Sequence, residues 1–193
     1  MKKIIIILLA LVISFSSFSQ HTNTQDSTQI RSTINSFYNW YNKNWQKVAA
    51  FKLYTKRTQD PPYMINWKEV ERYLLWLRKN APQLGEEFAK RERLFFRQCD
   101  SAFKTQVQDE VPYGFDGDRF TNSQELPQTL IDELKKAKQW VVNIDNDEAT
   151  VEVLGSYTDK GKEIETLTIC FVMKKERAKW TIAQIGCTFA PPN

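Results

Sequence analysis

The chain carries a single histidine in 193 residues, and that residue, His21, lies in the polar run QHTNTQ over 20–25. Imidazole acid–base catalysis and histidine-rich metal sites therefore fall away first. Neither a Gly-rich phosphate loop, a Ser-centred nucleophile elbow nor a ligand-spaced cysteine set occurs, so the motif-bearing nucleotide, serine-hydrolase and zinc classes go with them. Cysteine is scarce at three residues, Cys99, Cys170 and Cys187. A hydrophobic core must then supply most of the stability, and the odd count implies a free thiol or an intermolecular bridge. Acidic residues are missing between Asp26 and Asp60.

Long apolar runs are absent except at the start. Met1-Lys2-Lys3 is a positive region, Ile4 to Ile13 an apolar core and Ser17-Phe18-Ser19 a small-x-small cleavage site, the three parts of a secretory signal. The run is shorter than the roughly 20 residues of a membrane helix. The expectation is export to the periplasm or the medium, with residues 1–19 removed and no membrane span left. Loss of Lys2 and Lys3 lowers the formal charge from +4, so bulk composition does not suggest a nucleic-acid binder.

Residues 20–27 read as a disordered mature N-terminus and 28–189 as one domain. Asp26 with Gln29 reads as a capping box, followed by Ile30, Ile34, Phe37, Tyr38, Tyr41 and Trp45 on one helix face. Arg31, Lys43, Lys47, Lys52, Lys56 and Arg57 accumulate here among Trp40, Trp45, Phe51 and Tyr54. Asp60-Pro61-Pro62 breaks the helical pattern. Asn66 with Glu69 starts a second helix bearing Val70, Tyr73, Leu74 and Leu77, and a third from about Leu84 carries Phe88, Arg91 or Glu92, Phe95, Cys99 and Phe103. On that stripe Cys99 is a small core residue.

Tyr113 to Glu125, YGFDGDRFTNSQE, is irregular backbone by its glycines and small polar residues. A short helix follows from Leu126-Pro127, and the period then changes to two. Four strands are expected over 139–144, 149–157, 163–173 and 180 to about 188, joined by short turns into an antiparallel meander. The fold class is α+β, N-terminal helices on a C-terminal four-stranded sheet. Pairing Met173 with Trp180 puts Cys170 opposite Ala183, away from Cys187, and favours free thiols.

The first-helix motif FYNWY at Phe37, the segment DGDRFTNSQE from Asp116 to Glu125 and the terminal KWTIAQI ending at Ile185 together resemble a secreted family, domain of unknown function 3828, of the nuclear-transport-factor-2-like superfamily. Asp116, Asp118 and Gln124 match the family pattern, while Glu125 replaces an Asp. The resemblance implies a curved antiparallel sheet wrapped around helices as a cone, and often a homodimer. It implies no established activity.

The leading expectation is a non-enzymatic module of the envelope that binds a small ligand or a protein, with Tyr113, Asp116, Asp118, Gln124 and Glu125 of the irregular segment and Trp40 and Tyr41 of the first helix as site residues. No cofactor and no metal site are assigned; the oxygen-rich segment would suit calcium, but its spacing is not that of an EF-hand loop. One alternative is a hydrolase or isomerase using Asp116 and Asp118 as acid and base. Another is a toxin-neutralising protein whose basic segment, Lys43 to Arg57, meets an acidic partner.

Overall fold

The computed structural model of the protein describes the backbone of residues 2–107 and 110–186, and side chains from residue 24 onward within those ranges. Helix α1 spans Lys2–Ala49, and the side chains before residue 24, where a secretory signal is expected, lie outside the described residues. The helix runs through Asp26, so the capping box expected there does not form. Its carboxylate instead reaches the sheet, accepting hydrogen bonds from Trp180 Nε1 at 2.9 Å and Lys175 Nζ at 3.0 Å. Downstream, Ile30, Ile34, Phe37, Tyr38, Tyr41 and Val48 are buried and Trp45 packs beside them, the outcome of apolar side chains at three- and four-residue steps.

After α1 the chain forms a hairpin of strands β1 (Tyr54–Lys56) and β2 (Tyr63–Ile65), with Asp60-Pro61-Pro62 in its loop. Strands of three residues are too short to show a period in sequence. Helix α2 (Trp67–Asn80) opens as expected, Asn66 Oδ1 accepting the Glu69 N–H at 3.4 Å. Helix α3 (Glu86–Thr105) buries Phe88, Glu92, Phe95, Phe96, Cys99 and Phe103. Arg93 forks onto Glu71 at 2.9 and 2.7 Å and ties α3 to α2. Helix α4 (Pro127–Lys136) starts with proline at its first position, where no N–H is needed, and buries Leu130, Ile131 and Leu134.

Strands β3 (Gln139–Asp145), β4 (Glu148–Asp159), β5 (Lys162–Glu176) and β6 (Lys179–Ile185) make one antiparallel sheet in sequence order. Its ends, β3 and β6, do not pair, so it is not closed into a barrel. The helices cover one face, and the chain is α+β as its pattern indicates. Phe37, Tyr38 and Tyr41 of α1 meet Phe171, Trp180 and Ile182 of the sheet in the core. Among the described residues no helix is long and apolar enough to cross a membrane.

The register of the last hairpin differs from the one inferred from sequence. Lys175, not Met173, lies opposite Trp180. The cause is a two-residue turn at Arg177 and Ala178, both left-handed at φ 51° and 64°, the conformation that matches strand twist. A shift in pairing then follows: Met173 faces Ile182 while Val172 faces Gln184, leaving Ala183 as a bulge. The bulge brings Ile185 opposite Phe171 on the core side, and Gln184 accepts a hydrogen bond from Arg91 of α3. Cys170 consequently accepts the Gly186 N–H at 2.9 Å and does not face Ala183. It is disulfide-bonded, which corrects the expectation of a free thiol at this position; Cys187 lies outside the described residues. Cys99 is free and buried, in the core position its stripe indicates.

Candidate functional site around Arg119

The irregular segment between α3 and α4 is stitched together by one carboxylate. Asp118 Oδ1 accepts the Phe120 N–H at 2.7 Å and the Thr121 N–H at 2.9 Å, while Oδ2 accepts a short hydrogen bond from the Tyr41 hydroxyl. The Asp118 N–H in turn donates to Ser123 O at 2.7 Å. This is the local side-chain-to-backbone bonding that lets aspartate hold a turn. Tyr38 adds a second clamp from α1, donating to Phe120 O at 2.7 Å. Phe120 is thereby driven into the core, its ring 4.8 Å from Tyr41 and 5.5 Å from Phe37. Burial first, and then the Asp118 charge and hydrogen bond, raise the Tyr41 hydroxyl far above the ordinary tyrosine range, so it stays a neutral donor.

The other expected site residues divide between the loop and the rim. Gln124 donates from Nε2 to Asp116 O at 2.9 Å and closes the segment. The Asp116 and Glu125 side chains are exposed, and Tyr113 is half exposed. Trp40 packs on Trp76, ring centres 5.8 Å apart, and neither Trp40 nor Tyr41 lines the clefts described next. The structure therefore gathers Tyr113, Asp116, Asp118 and Gln124 at one cleft and leaves the two α1 aromatics in the packing behind it.

Two adjoining clefts open beside this segment. One, of about 310 Å³, lies between α3 and β6, lined by Phe88, Arg91, Glu92, Leu94, Phe95 and Gln184 among others. The second, of about 350 Å³, lies along the irregular segment from Tyr113 to Gln124. Phe95, Arg119 and Ile185 line both. Arg119 is thus the junction. Its Nε lies 3.2 Å and its Nη2 2.5 Å from Glu92 Oε1, and its guanidinium stands 3.4 Å over the Phe95 ring. Glu92 is 4% exposed, whereas the Arg119 side chain keeps 24% of its surface accessible. Burial presses against the guanidinium charge, but the Glu92 charge and hydrogen bonds outweigh it and raise its pKa above the ordinary arginine value.

Backbone geometry presses the segment onto α3 at this point. Gly114 has φ +81°, and a Cβ there would sit 2.8 Å from the Phe95 ring and 2.9 Å from Cys99 Sγ. Only glycine fits such a left-handed close approach. Burial pushes the Cys99 thiol up to about 12, leaving it an inert core group rather than a nucleophile.

The Arg119–Glu92 pair has no signature in the sequence. The one available signal was a charged residue on an apolar stripe, since Arg91 and Glu92 compete for the same inward step of α3; Arg119 lies 27 residues further on with nothing in sequence to join them. Among the described residues no three His, Cys, Asp or Glu side chains gather closely enough to hold a metal ion. Comparison with protein-family models, curated proteins and solved structures finds no match.

Proposed function

We propose that the protein is a non-enzymatic binding module of the cell envelope, akin to the domain of unknown function 3828 within the nuclear-transport-factor-2-like superfamily, and that it takes a small amphipathic ligand in the joined cleft at Arg119. The observation that carries this reading is the ion pair of the part-exposed Arg119 with the buried Glu92 at the junction of the two clefts. Such a pair gains little stability over well-packed apolar residues, yet it supplies fixed polar groups beside the apolar lining of Phe88, Leu94 and Phe95. Ligand sites combine those features. Asp118 has both carboxylate oxygens engaged by the loop and Tyr41, which favours a stitching role over that of an acid or base. Export rests on the charged and apolar pattern of the first 19 residues.

The reading is tested by ligand-observed NMR with a library of small carboxylates, amides and amines, on the wild type and on Leu94→Glu. Leu94 is 55% exposed on the cleft wall, so the variant should fold. Hits that bind the wild type and vanish with Leu94→Glu support the cleft; hits indifferent to the substitution, or none at all, count against it.

A further inference from the structure

We infer that the end of the molecule formed by the last turns of α1, the β1–β2 hairpin and the start of α2 is a docking surface for an acidic protein. The inference does not rest on the cleft at Arg119. Residues 43–72 hold seven Lys and Arg against three Asp and Glu, an excess equal to the +4 of the whole chain. Lys43, Lys47, Lys52, Lys56, Arg57 and Lys68 are all exposed. Among the described residues none of the six has an ion-pair partner; pairs do form elsewhere, as in Arg93–Glu71, Lys104–Asp100 and Lys174–Glu148, though Arg97, Lys136 and Lys179 also show none.

Local structure explains only part of this concentration. Lys47 lies in the last turn of α1, where the helix dipole favours cations, and Lys43 one turn earlier. Lys68 sits in the first turn of α2, where the same dipole disfavours it. Lys52, Lys56 and Arg57 belong to the hairpin and its approach and gain nothing from a helix end. Backbone pairing gathers them: the Asn66 N–H bonds Leu53 O at 2.9 Å, and Thr55 faces Met64 across the hairpin. Two large apolar side chains stand exposed between these cations, Met64 at 46% and Trp67 at 36%. Aromatic and methionine side chains inside a charged rim are the composition of a protein–protein contact. Trp45, Phe51 and Tyr54 are packed against the core, so the row of stacking rings that a single nucleic-acid strand uses is not presented.

The test is fluorescence anisotropy with two labelled probes of equal charge, a glutamate-rich peptide with a central phenylalanine and an oligothymidine. They are titrated into the wild type, Lys52→Glu/Lys56→Glu/Lys68→Glu, Trp67→Ala and the cleft variant Leu94→Glu, each checked for folding by circular dichroism. The peptide should bind the wild type and Leu94→Glu alike, weaken as salt is raised, and lose at least about tenfold in affinity with the charge reversal. Trp67→Ala should cost about threefold or more. Failure of the wild type to bind the peptide, or equal binding by the charge-reversed protein, overturns the inference. Tighter binding of the oligothymidine than of the peptide overturns it in favour of nucleic acid.

Discussion

Asp26 Oδ1 accepts the indole N–H of Trp180 at 2.9 Å, joining residues 154 positions apart. Lys175 Nζ reaches both oxygens of the same carboxylate at 3.0 and 3.1 Å. The contact fixes the middle of α1 to the terminal β5–β6 hairpin, whose far end carries Ile185 into the cleft at Arg119. It also shows why a capping motif in sequence is a conditional signal. Asp26 has the right neighbours for a cap, but the helix continues past it and the side chain is used for tertiary contact.

Removal of this latch should destabilise the fold. Burial raises the Asp26 pKa, but the hydrogen bonds from Trp180 and Lys175 and the Lys175 charge outweigh it, so the net shift is downward. Its stabilisation is then fully present above the ordinary Asp value of about 4 and is lost as pH falls below it. Asp26→Ala should cost about 1–2 kcal/mol near neutral pH, the pair being partly exposed. Urea denaturation across the acid range should show a shallower loss of stability for the variant than for the wild type.

Asp118 is expected to behave as a structural residue. Asp118→Ala strips acceptors from two backbone N–H groups and from Tyr41 and should cost about 2–3 kcal/mol. Asp118→Asn keeps one acceptor oxygen and should cost about 1 kcal/mol. Chemical denaturation separates these outcomes from that of a catalytic carboxylate, whose replacement would leave stability unchanged.

How far the sequence could be read depended on the length of each signal. The helix faces from Ile30 to Tyr41 and from Val70 to Leu77 repeat often enough to define their buried sides. So do the four strands and Pro127 at the start of α4. The β1–β2 hairpin was too short to show a period. The last turn uses Arg177-Ala178 where Asn-Gly would have announced a left-handed pair, and the Ala183 bulge leaves no mark in an alternating strand. Of the site, Asp118 and Gln124 were legible as members of an irregular polar segment, because glycines and small polar residues mark such backbone. Arg119 and Glu92 were not, since their pairing depends on how the segment folds back on α3.

Gly114 and Gly161 make a matched comparison. Both have positive φ, +81° and +78°, but an added Cβ at Gly161 meets nothing within 4 Å while one at Gly114 meets Phe95 and Cys99. Gly161→Ala should cost about 1 kcal/mol from backbone strain alone, and Gly114→Ala at least about 2–3 kcal/mol through added crowding. Thermal melts of the two variants give the difference directly.

The Arg119–Glu92 pair should show strong coupling. Arg119→Met leaves Glu92 buried without its partner and should cost about 3–5 kcal/mol, as should Glu92→Leu. The double variant Arg119→Met/Glu92→Leu should recover most of that loss, because no unpaired charge is left inside. A double-mutant cycle by denaturant unfolding measures the coupling, and simple additivity would show the pair to be energetically idle.

Backbone-amide NMR of the wild type with the hits of the small-molecule library shows whether the joined cleft at Arg119 is the binding site. Shift changes should cluster on Phe95, Arg119 and Ile185, the residues shared by both clefts, and should disappear in Arg119→Met/Glu92→Leu. Shift changes centred elsewhere on the fold, or unchanged binding by that folded double variant, would contradict it.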